Sequence, residues 1–477
     1  KVNRAFLKGF YGEKEDEFEI IFDNEILNNK VTLKFNDISF YLDRELWKLK
    51  DSNSSITYNQ KTKEFNLINF FLESKNQSIN SDFRYKSTND FDLKLITKDL
   101  KLDQFLPKNE KFDLSGFLSS EIIINQNEEL QSASANIITK NLVLNQNLIG
   151  DFDFSLSGSP VYKTYKITTS LVNDSKKNIQ GFGNVFIVDK NINLDIDFDL
   201  DDFDISFLSS FGKNKVNKIN GLVTGKLNLW GSMSDIKLKG QTSINNGNLY
   251  LPITNTEYRI KDRTPIFFQD QSIKFVNTEL VDTYENTFAT ANGNLFHKNF
   301  KEWGIDLDVT SQRLLVFNKT KNLESRFYGK GFLNGEASFK GPFKSLNLSV
   351  SGFTANGTNI VIPWQENKGL SDTSFIDFVP KSQKKMKESA NALSSFDDQL
   401  RGFEMIFDLN ITRDAELEIV VDQKSGSTLS GRGNGKILIE TNTDGKFNIF
   451  GDYITYDGTY NFKNLGLIDK KFIVKPG

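Results

Sequence analysis

The chain has 477 residues, with 59 Lys and Arg against 62 Asp and Glu, one histidine, no cysteine and 43 phenylalanines. A net charge of −3 supplies no global pull toward nucleic acid or anionic lipid, so no nucleic-acid partner is expected. Without cysteine there is no disulfide framework, thiolate nucleophile or cysteine-type metal site, and no run of about 18 apolar residues reads as a membrane-spanning helix.

The start, KVNRAFLKGFYGEKEDEFE, lacks the apolar core of a secretion signal. Its first residue, Lys1, and the abrupt VKPG end predict a piece of a longer protein. Residues 102–108, LDQFLPK, predict a short helical turn. Phe152, Phe154 and Leu156 then alternate with polar residues, as do Ile192, Leu194, Ile196, Phe198 and Leu200. A period of two puts such side chains on one face of a strand and their polar neighbours on the other, which predicts a half-buried antiparallel sheet. DFDISFLSSFG, residues 202–212, predicts a second helical turn capping that sheet.

GLVTGKLNLWG from Gly221 and GFLNGEASFKG from Gly331 form an internal repeat. Gly221, Gly225, Gly231 and Gly247 stand 110 residues before Gly331, Gly335, Gly341 and Gly357, where chance gives roughly 0.3 matches. Gly431 and Gly435 echo the spacing. Each unit reads as glycine turn, strand, turn, strand and a run ending near proline, LYLP at 249–252 and IVIP at 360–363. Asn245-Asn246-Gly247, Asn356-Gly357, Asp444-Gly445 and Asp457-Gly458 suit the left-handed backbone of tight hairpins. Alternation continues through Ile305, Leu307 and Val309, through Leu346, Leu348 and Val350, and through Leu417, Ile419 and Val421. Pro380–Leu400 has neither alternation nor glycine, and Met386, Ala390, Leu393 and Leu400 fall near helical spacing, which predicts a helical or mobile insertion. Its KSQKKMK start reads as a solvated face.

The expected fold is therefore all-β, an elongated folded antiparallel sheet with an apolar interior and few short helices. Residues 1–220 are read as the N-terminal part of a continuous β-groove, 221–374 as its repeat-containing part, 375–402 as the insertion and 403–477 as a C-terminal β domain.

Chemistry-bearing motifs are scarce. His297 lacks an evident base or nucleophile partner and is read as structural. The aspartates of DIDFDLDDFD (Asp195, Asp197, Asp199, Asp201, Asp202 and Asp204) alternate with Ile, Phe and Leu and lack the glycine of a calcium loop, so they read as one wet strand face. GLVTGK from Gly221 to Lys226 is one residue short of a phosphate loop, and the pairs Gly329/Gly331 and Gly431/Gly433 lack the third glycine of a dinucleotide fingerprint. No enzyme, cofactor or metal site is expected. What remains is the apolar face, which is either the dry core of a solenoid or an open trough for apolar ligands.

Four segments carry a family resemblance: GLVTGKLNLWGSMSDIKLKGQTSINNGNLYLP, IKFVNTELVDTYENTFATANGNLFHKNFKEWGIDLDV, YGKGFLNGEASFKGPFKSLNLSVSGFTANGTNIVIP, and the end from Glu416 with its G-x-G-x-G step, GDY strand and KKF-x-V-x-PG run. Together they resemble the C-terminal half of the TamB family, the translocation and assembly module branch of AsmA-like bridge-like lipid transfer proteins, in a Bacteroidota-type version. The match is firmest from Gly221 onward.

The resemblance implies a tube-like folded sheet, a β-taco, in the periplasm of a Gram-negative bacterium, bridging inner and outer membranes. It implies phospholipid as cargo, an inner-membrane anchor outside this chain, and an Omp85-type, TamA-like outer-membrane barrel as partner. At about 13 residues per strand and turn the chain would hold about 36 strands, spanning on the order of 170 Å. Leu194, Ile196, Phe198, Leu227, Leu229, Leu249, Leu251, Ile305, Leu307, Val309, Leu346, Leu348, Val350, Ile437 and Ile439 are the expected lipid-groove residues, and Tyr453, Tyr460, Phe462 and Phe472 the expected partner-binding ones. The alternatives are a scaffold for outer-membrane barrel assembly and a structural solenoid with a dry core.

Overall fold

The computed structural model describes residues 2–10, 17–106, 112–127, 131–159, 164–188, 191–212, 216–252, 254–321, 327–363, 403–422, 425–442, 446–464 and 468–477. These residues form twenty-nine strands, one 3-10 turn and two four-residue helices, so the all-β reading holds. None of the helices is long and apolar enough to cross a membrane. The strands are longer than the spacing of turns suggested, reaching 17 residues in Asp235–Leu251 and 18 in Phe447–Asn464. The helical insertion expected over 375–402 and the turn expected at Asp444-Gly445 lie outside the described residues.

The chain divides into two compact units, Lys1–Phe211 with Leu222–Thr242, and Gly212–Gly221 with Ser243–Gly477. Through most of each unit a strand pairs antiparallel with the next in sequence, as in Thr164–Asn173, Lys176–Val188 and Asn191–Asp204 of the first and Phe288–Phe296, Gly304–Lys319 and Tyr328–Pro342 of the second. Tight reversals use residue pairs with both φ positive: Asn28-Asn29, Asp43-Arg44, Asn145-Gln146 and Asp174-Ser175. This is the backbone of type I′ turns, whose twist matches that of the flanking strands.

The glycine-marked turns behave otherwise. Asn245-Asn246-Gly247 lies inside Asp235–Leu251 and Asp457-Gly458 inside Phe447–Asn464, so neither reverses the chain. Asn356-Gly357 bends it, because Asn347–Thr354 before it and Asn359–Pro363 after it pair with the same strand, Tyr328–Pro342. Equivalent corners separate Glu45–Leu49 from Ser55–Asn59 and Thr256–Ile260 from Thr264–Asp270. At all three a buried hydroxyl donates to the carbonyl three residues back: Ser54 to Asp51 at 2.8 Å, Thr264 to Lys261 at 2.6 Å and Thr358 to Ala355 at 2.7 Å. Of the repeat glycines, Gly225 and Gly335 sit within strands rather than at turns. A Cβ would come 2.4 Å from the Gln241 carbonyl oxygen at Gly225 and 2.1 Å from that of Ser351 at Gly335, so glycine is required by close backbone approach.

A second device recurs inside the long strands. Asn69, Asp99, Asn141, Asp202 and Asn277 have φ between 46° and 51° and fall where the ladder slips register, and Asn246 at 52° shares the conformation. In each case a side-chain oxygen from elsewhere in the sheet accepts the bulge N–H: Asp82 at 2.7 Å, Ser119 at 3.0 Å, Asp151 at 2.8 Å, Thr224 at 3.0 Å, Asn292 at 2.7 Å and, for Asn246, Asp262 at 2.8 Å. Bulges bend a strand, and burial peaks beside them, at Thr97, Leu100, Ser120 and Thr139 in the first unit and at Ile244, Thr278 and Ala291 in the second.

Two pairings depart from the expected antiparallel meander. Asn347–Thr354 pairs in parallel with Glu404–Ile411, and Asn359–Pro363 with Glu416–Asp422. Parallel neighbours need a connection of a dozen or more residues, and the stretch from 364 to 402 supplies it. The Thr412 hydroxyl donates to the Thr354 carbonyl at 2.8 Å where one corner lies over the other.

Both short helical turns appear, as Leu102–Phe105 and as Ser206–Leu208 running into Ser209–Gly212. Phe105 meets Trp47 edge-on at 5.7 Å, and Trp47 belongs to a buried cluster with Phe35, Ile38, Leu72 and Leu100. Beside it Glu45, 8% exposed, accepts from Lys101 Nζ at 2.6 Å, Gln77 Nε2 at 2.8 Å and Lys75 Nζ at 3.0 Å.

Candidate functional site: an apolar sheet face

Residues directly opposite in register share a face of the sheet, so the pairings show which apolar side chains line up. In the first unit Leu95, Ile122, Ala135, Leu156, Ile167, Gly183, Ile196 and Leu229 follow one another across eight strands. Phe198 stands opposite Leu227 one row away, and Leu194 opposite Val185 and Gly231 on the other side. In the second unit Ala291, Val309, Ala337, Val350, Phe407, Ile439 and Ile449 form a row. Phe275, Gly293, Leu307, Phe339, Leu348 and Met405 form the next. Ile437 faces Leu409, and Ile305 faces Leu295 and Gly341.

The rows are only partly shielded from solvent. Ile167, Ile196 and Val350 are buried, whereas Leu194, Phe198, Leu227, Leu229, Ile305, Leu307, Val309, Leu348, Ile437 and Ile439 are half-buried, and their neighbours Asp195, Asp197, Asp199, Asp306 and Asp308 are exposed. A closed core would bury such side chains almost fully. Each Å² of apolar surface left to water forgoes about 25 cal/mol, so this face gains from any apolar cover.

Other expected site residues sit elsewhere. Leu249 and Leu251 pack against the buried Tyr258–Ala289–Leu314 cluster, where the Tyr258 hydroxyl donates to the Leu315 carbonyl at 2.8 Å and burial pushes its pKa up to about 12. Leu346 is half-buried just before the strand Asn347–Thr354, its carbonyl accepting the Glu404 N–H. Tyr460 lies 6.3 Å from Phe462 and 6.2 Å from Phe472, ring centroid to ring centroid, so these three form one aromatic group. Tyr453 stands apart, opposite Gly435, with burial raising its pKa.

Phe275, Phe339, Met405, Phe407 and Leu409 join these rows without being among the expected groove residues, although Met405, Phe407, Leu409 and Ile411 alternate with polar or apolar neighbours at period two as plainly as Ile305, Leu307 and Val309 do.

Residues 277–477 match the family model described as TamB C-terminal domain. No curated protein and no solved structure was found to match the chain. The TamB family is a transport and assembly module of the Gram-negative envelope, acting in outer-membrane assembly or lipid transport and associating with a TamA partner. Apart from Phe275, the second unit's rows fall within the matched residues, as does the aromatic group of Tyr460, and over residues 277–477 the chain carries a TamB C-terminal domain.

Proposed function

We propose that the apolar face is a lipid conduit, shielding phospholipid acyl chains as they cross the periplasm between inner and outer membranes, with no catalytic step. The observation that carries this reading is the row of apolar side chains running from Ala291 to Ile449, with Val309, Ala337, Phe407 and Ile439 half-buried between them. Water costs an acyl chain about 0.8 kcal/mol per CH₂, so a chain of about 16 carbons faces roughly 12 kcal/mol unshielded. Successive strands 4.7–4.9 Å apart offer it apolar contact at steps far shorter than its own length. An inner-membrane anchor outside this chain and an Omp85-type barrel at the aromatic group of Tyr460, Phe462 and Phe472 complete the proposal.

A second reading, a scaffold for barrel assembly, draws on the strand Ile468–Val474. Among the described residues it pairs with Phe447–Asn464 alone, and it leaves Phe472 50% and Ile473 87% exposed. Such an edge accepts a further strand by β-augmentation.

Native mass spectrometry with lipid extraction tests the conduit. Wild type is expected to carry several phospholipids per chain, the Leu307→Arg/Leu348→Glu double variant to lose them, and the outward Asp306→Lys variant to keep them. A well-folded wild type without lipid overturns the conduit in favour of the scaffold.

A further inference from the structure

The loop from His297 to Trp303, between Phe288–Phe296 and Gly304–Lys319, closes on a buried histidine. His297 is 5% exposed, its ring stacks on Phe300 at 4.4 Å and meets Trp303 at 4.7 Å, and its Nδ1 accepts the Phe300 N–H. Trp303 Nε1 donates to the Phe300 carbonyl at 3.0 Å, and the Phe343 N–H to the Trp303 carbonyl at 3.0 Å, which fixes the 343–346 loop alongside. The two loops make a lip on which Phe296, Phe300 and Phe343 are 36%, 42% and 44% exposed. Lys298, Lys301 and Lys344 stand exposed beside them, with no ion-pair partner among the described residues. Glu302 in the loop and Asp270 in the adjoining turn are the carboxylates nearby in sequence and pairing. Directly behind the lip, Ile305 opens the apolar face.

We infer that this lip docks on an anionic lipid surface, with its rings at headgroup level and its lysines on the phosphates. Rigidly held aromatic rings beside lysines, whose apolar stems can lie along the rings while the ammonium reaches outward, seek the membrane–water interface. The attraction is local, so it coexists with the chain's net charge of −3. Docking here brings Ile305, at one border of the second unit's apolar rows, to the lipid, and in that sense it rests on the conduit reading and names a place where lipid is exchanged with a membrane.

Flotation of the purified chain with vesicles tests it, using phosphatidylcholine alone or mixed with phosphatidylglycerol. Wild type is expected to float with the mixed vesicles and much less with phosphatidylcholine. Lys298→Gln/Lys301→Gln/Lys344→Gln should lower the partition coefficient about a hundredfold, at about fivefold per lysine. Phe300→Ser/Phe343→Ser should lower it while leaving the salt dependence intact, and Asp270→Lys should raise it. Equal partition into both vesicle types, or lysine variants that float as wild type does, overturns the docking; a lip built for an acidic protein gives that second result. Extracted lipid measured on the same preparations separates the two proposals. Lipid-laden protein that does not float removes the lip and leaves the conduit, and lipid-free protein that floats does the reverse.

Discussion

Lys101 and Lys75 donate to Glu45 and hold its carboxyl at about 2, against an ordinary 4.5. A carboxyl whose pKa is depressed by folding stabilises the folded chain fully above its unfolded pKa, and that contribution disappears as pH falls through the folded value. Stability from this group should therefore be complete above pH about 4.5 and decline toward pH 2. Urea midpoints across that window should fall more steeply for wild type than for Glu45→Gln; parallel curves would mean that Glu45 does not titrate with folding. His297 behaves oppositely to a titrating sensor, since burial lowers its pKa and keeps it neutral within its aromatic loop. Its structural reading was legible from the absence of any chemical partner in sequence, whereas the ring stacking that buries it joins residues whose roles their spacing does not reveal.

At the scale of strands, pairs such as Asn28-Asn29 and Asp174-Ser175 make the reversals expected of the glycine pattern, and asparagine and aspartate bulges bend the strands. Asn277, at φ 50°, occupies the left-handed region, which asparagine enters more easily than a β-branched residue, and its N–H is held by Asn292 at 2.7 Å. Asn277→Val should cost about 1–2 kcal/mol, and Asn277→Gly much less, because glycine adopts that backbone freely. Equilibrium urea unfolding of both variants checks this, and equal losses would assign the effect to the side chain rather than to the backbone. Asn28-Asn29 and Asp174-Ser175 reverse the chain without any glycine, while Asn356-Gly357 only bends it and Asp457-Gly458 lies within a strand. A left-handed residue serves a reversal, a corner and a bulge equally well, and which of them forms depends on where the following strand finds its partner.

Across the molecule, the proposed conduit uses the rows of each unit. Phe198→Glu places a charge beside Leu227 in the first unit, on a half-buried side chain whose replacement leaves the packed clusters untouched. It should abolish lipid transfer between donor and acceptor membranes in the full-length protein while lipid bound by the second unit remains. Undiminished transfer would count against a continuous path through the first unit. The period-two alternation by itself determined that these segments are strands with one apolar face each, and it put Leu194, Ile196 and Phe198 on one face of their strand, Leu307 with Val309, and Leu348 with Val350, because pleat geometry is local and successive side chains must oppose one another. Tertiary structure alone decided that Val350 meets Phe407 through a parallel pairing, that Leu249 and Leu251 belong to a packed cluster, and that Tyr460, Phe462 and Phe472 gather into one group. Those outcomes depend on register between strands far apart in the chain, and register follows from the summed packing and hydrogen bonding of both partners, which no single segment carries.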